Sequence, residues 1–210
     1  MGAVADPLSR ELVVRTAREQ LERDGVEQLS LRAVARELGV TAPALYLYVQ
    51  DRDDLLAAVA TEHFERLVER FDAVDEADPL QRIRALCHAY VDHARESPTL
   101  FALMFRYPPR PVPEVDAFPP AERAFAVAAA ATADAVESGA LRVPDATEAG
   151  VVMWCAVHGV AEVVLSGFAG DDAATRLLDQ VVDTVLAGQI TPLGTTPLGT
   201  AVVSTPAVRR

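Results

Sequence analysis

Residues Leu29–Leu56, LSLRAVARELGVTAPALYLYVQDRDDLL, decide the fold. The stretch predicts two short helices broken at a glycine, the second opened by a threonine. That layout is a helix-turn-helix, a device for laying one helix in the major groove of DNA. Ser30 can cap the first helix, whose apolar positions Leu31, Val34, Ala35 and Leu38 recur at helical spacing. Gly39 follows where a left-handed C-cap residue is wanted. Thr41 is expected to cap a second helix over residues 42–49, with Pro43 tolerated because first-turn amides lack intrahelical partners. Val40, Leu45 and Val49 should face the first helix, leaving Thr41, Ala42, Ala44 and Tyr48 outward. A small-residue first turn suits close approach to base edges.

Working outward, residues 9–24 predict a preceding helix, with Thr16-Ala17, Leu21 and Asp24-Gly25 along it. Together with Ser30-Leu31-Arg32, Val34-Ala35, Leu38-Gly39-Val40-Thr41, Leu45-Tyr46-x-Tyr48 and Arg52-x-x-Leu55-Leu56, this pattern resembles the TetR family of one-component transcription regulators. The resemblance covers nearly all of the N-terminal third. It implies that Arg32, Tyr46, Tyr48, Arg52 and the amides of Thr41 and Ala42 position the protein on phosphates. Thr41, Ala42, Pro43 and Ala44 then lie nearest the bases. Tyr46 occupies the family's phosphate-contacting tyrosine, although its ring could equally brace the motif. Val49 stands where an aromatic is usual and Arg52 where lysine is usual, and Ala42-Pro43-Ala44 is unusually apolar. Specificity would therefore draw on thymine methyl contacts and DNA shape.

Charge argues the other way. The 210-residue chain has a net charge of −12, and residues 1–55 carry seven arginines against ten carboxylates, so bulk electrostatics do not mark a nucleic-acid binder. Local placement matters more, since screening confines phosphate contacts to about 8–10 Å. Arg32 and Arg36 are four apart on one helical face, and Arg36 could instead pair with Glu37 or Asp24. Half the residues are apolar, which suits a real core. The N-terminus shows no secretory signal pattern. The longest apolar stretch, around Ala124–Ala133, is about half the ~20 residues a bilayer crossing needs. Cys87 and Cys155 lie far apart and form no disulfide framework, which suits a reducing, cytoplasmic setting.

No segment alternates as a strand, so the fold class is all-α, about nine helices in all. An N-terminal three-helix helix-turn-helix domain (1–51) should precede a helical effector-binding and dimerisation domain (52–188) and a disordered, TPLGT-repeating tail (189–210). Helices are expected over 52–74, capped by Asp51, and over 79–96, 99–105, 121–138, one opened by Val143-Pro144-Asp145 and running to Leu165, and 173–187. The proline-rich segment 107–120 reads as a connector.

Trp154-x-x-x-His158-Gly159 is the second informative feature. Its tryptophan and histidine share a helical face, and a mid-helix glycine suggests a close backbone approach. With Ser97–Phe105 it resembles the C-terminal domain of a TetR subgroup named for a Trp-His-Gly signature. That resemblance implies an effector pocket and a homodimer formed through the last two helices. Phe64, Tyr90, Met104, Phe105, Phe125, Met153, Trp154 and His158 are the candidate pocket residues, and each could equally be core. Cys155 and His158 have a metal-compatible spacing but lack a second ligand pair, so no metal and no cofactor are expected.

These features predict a ligand-responsive regulator, most simply a repressor. It would bind a double-stranded palindromic DNA operator as a homodimer and be released by a small-molecule effector, with no membrane partner. No nucleophile–base pair or phosphate loop suggests an enzyme. The rival from another class is a helical protein-binding adaptor without DNA affinity.

Overall fold

A computed structural model describes residues 7–105 and 119–190. Nine α-helices and no strands occur among them: α1 (Arg10–Asp24), α2 (Leu31–Glu37), α3 (Ala42–Leu45), α4 (Arg52–Asp72), α5 (Pro79–Glu96), α6 (Pro98–Met104), α7 (Pro119–Glu137), α8 (Ala146–Leu165) and α9 (Asp171–Ile190). A 3-10 turn, Val26–Gln28, joins α1 to α2. The all-α expectation stands. Most boundaries follow from caps written in the sequence. Ser9, Asp51, Asp78 and Asp145 each accept a first-turn amide, and Asp51 takes that of Asp54 at 2.8 Å.

Some boundaries differ from expectation. Pro119 and Pro120 open α7 instead of ending the connector, because a first helical turn needs no proline N–H. The last helix reaches Ile190, past the expected start of the tail. The rest of that tail, the TPLGT repeats included, and residues 107–118 of the connector lie outside the described residues.

Two hydrophobic clusters organise the packing. The first gathers Val13, Ala17, Leu21, Val34, Leu45 and Val49 of the head, together with Leu55, Leu56, Val59 and Ala60 from the start of α4. The second is built on Phe64, Leu67 and Phe71 from the far end of α4, with α5, α7, α8 and α9 around them. The short helix α6 serves both: Leu100 and Leu103 enter the first cluster, Phe101 and Met104 the second. Thus α4 and α6 tie head to body through continuous apolar contact.

By length and composition α8 is apolar enough to cross a membrane, exceeding the Ala124–Ala133 run. Its inner face nevertheless packs as a core helix through Met153, Val157, Val160 and Ala161. Its outer face carries Val152, 49% exposed.

At the junction of α4 and α5, His63 and His93 stack with ring centroids 4.0 Å apart, both buried. Burial, then the charges of His93, Arg66, Arg18 and Arg70, push the His63 pKa down to about 3. Burial and Arg70 push His93 down to about 4, with Glu96 opposing. The folded pair is therefore neutral, while imidazoles of the unfolded chain bind protons near pH 6.5. The stability this neutrality provides is complete above about pH 6.5 and is lost as pH falls through that value toward 4 and 3. Thermal melts between pH 7.5 and 4 should show a falling Tm whose acid slope becomes shallower in His63→Phe. Equal slopes would remove the histidine pair from the account.

Candidate functional site

The helix-turn-helix is set by its turn. Ser30 Oγ accepts the Ala33 amide at 3.1 Å and starts α2. At the other end Gly39 adopts φ +69°, while Val40 N–H donates to the Ala35 carbonyl (2.9 Å) and Gly39 N–H to that of Arg36 (3.3 Å). This pair of bonds is a Schellman closure, which a Cβ at residue 39 would strain.

Thr41 departs from expectation. It holds the N-cap position with extended backbone, yet its side chain accepts no helix amide. The reason is local: Pro43 has no N–H, and the Ala44 amide bonds the Thr41 carbonyl at 2.9 Å. The exposed Thr41 side chain is left facing outward. The second helix is also shorter than predicted. After Leu45 the chain tightens into i→i−3 bonds, Tyr46 N–H to Pro43 O (3.3 Å) and Tyr48 N–H to Leu45 O (2.9 Å).

Two expected phosphate contacts turn inward. The half-buried Tyr48 ring packs on the head core, and its hydroxyl donates to the Leu8 carbonyl at 2.9 Å. Arg52 donates from Nε to Leu29 O (3.0 Å) and from Nη2 to Val26 O (2.7 Å), bracing the 3-10 turn. Both corrections share a cause: each side chain finds backbone carbonyls of a segment far away in sequence. Glu37 and Asp24, the alternative partners for Arg36, are both taken by Arg23.

The outward surface therefore consists of Arg32, Arg36, Thr41, Pro43 and Tyr46, with Ala42 and Ala44 half-buried behind them. Leu47, 82% exposed, adjoins Tyr46, 59% exposed, and was missed in the sequence. An apolar residue between two tyrosines of the helix-turn-helix was its available signal.

At the other end of the molecule, a cavity of about 160 Å³ lies between α4, α5, α7 and α8. Of the candidate pocket residues, Phe64, Tyr90, Phe105, Phe125, Met153 and Trp154 line it. Met104 does not: it is 3% exposed within the core behind. His158 stands one layer out, its Nδ1 2.8 Å from the Tyr90 hydroxyl and its ring stacked on Trp154 at 5.5 Å. Burial raises the Tyr90 pKa and keeps the hydroxyl neutral. The wall that sequence reasoning missed is small: Ala124, Ala128, Ala129, Thr132 and Gly150. Its signal was the alanine-rich run of α7, whose lack of bulk makes the space.

Within the chain nothing approaches Gly159: a Cβ there would meet nothing within 4 Å. The glycine that faces another side chain is Gly150, across from Thr132. Asp92, Glu96 and Glu162 stay out of the cavity wall. Glu96 pairs with Arg70, and Glu162 lies 3.8 Å from His158 Nε2. Among the described residues no group of three or more His, Cys, Asp or Glu could hold a metal ion.

Comparison with known proteins fits both ends of this arrangement. Residues 13–59 match the profile for bacterial regulatory proteins of the tetR family, and residues 83–185 match a tetracyclin repressor-like C-terminal domain. The chain belongs to the TetR family. Among its relatives, the HTH-type transcriptional regulator Rv0681 of Mycobacterium tuberculosis is 28% identical over 190 residues, 89% of this chain and 84% of that one. YobS of Bacillus subtilis, also an HTH-type regulator, is 30% identical over 92 residues, 43% of this chain, which spans about half (48%) of that protein. A solved structure from Rhodococcus sp. RHA1, described as of unknown function, superposes with TM-score 0.81 at 26% identity, covering 91% of this chain and all of that one. The family and these relatives are transcription regulators, which does not favour the adaptor alternative.

Proposed function

We propose that the protein is a ligand-responsive repressor that binds a palindromic operator as a homodimer and is released when a small molecule fills the cavity. The observation that carries this reading is the course of α4. Its first half is core of the DNA-binding head, and Phe64, Leu67 and Phe71 on its second half line the cavity. A ligand that favours one position of this helix shifts the head. A coupling of about 1–3 kcal/mol corresponds to roughly a 5–150-fold loss of operator affinity. In this division of labour residues 1–51 read DNA and 52–188 sense and dimerise. Membership of the Trp-His-Gly subgroup rests on Trp154, His158 and Gly159. A cytoplasmic site of action follows from the DNA target.

The homodimer draws support from α8. A helix apolar on both faces needs cover on both, and exposed Val152, Cys155 and Gly159 share the side turned away from the core. Pairing α8 and α9 with their copies would cover that side and set two heads about 34–36 Å apart, or one somewhat wider spacing, along the duplex.

Selection of random-sequence duplexes by the purified protein at moderate salt tests the proposal. An enriched palindrome is expected, and a folded dimer without enrichment would overturn it. On the selected operator, Tyr46→Ala should weaken binding about tenfold or more, the worth of one hydrogen bond to a charged phosphate. Because Tyr46 is exposed at 59%, thermal stability should hold. Unchanged affinity would remove Tyr46 from the docking surface.

A further inference from the structure

The cavity's own chemistry restricts what can occupy it. Among the described residues its wall contains no Lys, Arg, His, Asp or Glu. An ion seated against this wall would lose much of its hydration with no counter-charge in return, which disfavours the charged form. Neither titratable wall group changes this. Burial pushes the Cys87 thiol up to about 12, so it presents no thiolate to an electrophile. The Tyr90 hydroxyl is kept neutral and is already engaged by His158.

Two threonine hydroxyls belong to the wall, Thr147 at its exposed edge and Thr132 buried inside. Thr132 is buried at 5% exposure, and its hydroxyl donates to the Ala128 carbonyl one turn back, at 3.0 Å. With its proton committed, Oγ1 has only lone pairs to offer, so it selects a donor. Gly150 faces it from α8, where an added Cβ would stand 3.4 Å from Oγ1. The glycine keeps bulk away from this buried acceptor.

Shape supplies the rest. Ala124, Ala128 and Ala129 of α7 make a low wall, and aromatic rings flank it, Phe125 of the same helix meeting Trp154 of α8 edge-on at 5.0 Å. Rings presenting faces and edges favour a planar aromatic guest. A volume of about 160 Å³ is close to that of an engineered apolar cavity, about 150 Å³, known to admit benzene.

The geometry points to an uncharged, single-ring aromatic effector carrying one hydrogen-bond donor, a phenol in its simplest form, anchored on Thr132 Oγ1. This deepens the proposed function and rests on the cavity being the effector site.

Calorimetric titration of the full chain with two isosteric probe pairs tests it. Benzamide should bind and benzoate should be weaker by about a hundredfold or more, the mark of an uncompensated buried charge. In Thr132→Val, phenol should lose about three- to tenfold while toluene, which makes no hydrogen bond, stays level. The unchanged toluene affinity doubles as evidence that the variant is folded. Benzoate binding as well as benzamide would overturn the ligand class, as would a phenol-to-toluene ratio untouched by Thr132→Val. Ala128→Phe, which fills the cavity, separates the two levels of the argument. Probes bound regardless of charge but lost in Ala128→Phe would sink the ligand class and leave the cavity as effector site. Probes bound equally by Ala128→Phe and the native chain would overturn both.

Discussion

Phe101→Ala is expected to destabilise the folded chain by about 3–5 kcal/mol, the usual cost of deleting a fully buried aromatic ring. The residue has no solvent exposure. Its ring meets Tyr90 edge-on at 5.4 Å and Phe105 at 5.2 Å, and it lies 5.8 Å from the His158 ring. The adjoining Leu100 belongs to the head's core, so the void opens where the two clusters meet. Relaxation there would pull on both, which limits how far the site can collapse. Phe101→Leu, conserving much of the volume, should cost less than half as much. Urea denaturation monitored by circular dichroism measures both variants. A loss under about 1 kcal/mol for the alanine variant would show that α6 repacks freely and does not fasten head to body.

Arg52→Ala should cost about 2–4 kcal/mol, and the damage should be confined to the head. Its guanidinium bonds two carbonyls at the end of the 3-10 turn, that of Leu29 and that of Val26, which also accepts the Leu29 amide. Hydrogen bonds from a charged donor are worth about 1.5–3 kcal/mol each, and two on one side chain are not additive. Lysine, with a single point of charge, should recover only part of the loss. Hydrogen exchange is the direct readout: faster exchange in α1–α3, unchanged exchange in α8 and α9. If head protection is unchanged and only DNA affinity drops, Arg52 is a phosphate contact, as its place in the motif first suggested.

The contrast between Ser30 and Arg52 shows what a sequence discloses. Ser30, Gly39, Asp51 and Asp145 act on amides or backbone angles within their own turn, so their roles were legible from neighbours along the chain. Tyr48 and Arg52 spend their polar groups on Leu8, Val26 and Leu29, partners 23–40 positions away. Spacing along one helix holds no record of such a partner. Thr41 failed as a side-chain cap for a reason that was visible: the proline two residues on removes a donor.

The cavity was half legible. Aromatic residues at helical spacing identified Phe64, Tyr90, Phe125 and Trp154, yet the same signal admitted Met104, which is core. Whether such a set encloses space depends on what faces it, and space is written in residues too small to draw notice. Ala128, Thr132 and Gly150 are a cavity's signature only once α7 and α8 are side by side.

The shared use of α4 and α6 also bears on modularity. A chain cut after residue 51 and grafted to another body would leave behind Leu55, Leu56, Val59 and Ala60, and from much farther along Leu100 and Leu103. The recognition element is consequently not a transferable cassette. On the proposed function, exchange of operator preference between relatives would proceed by substitution on the outer surface around Thr41, Tyr46 and Leu47, or carry the α4–α6 scaffold along with the head.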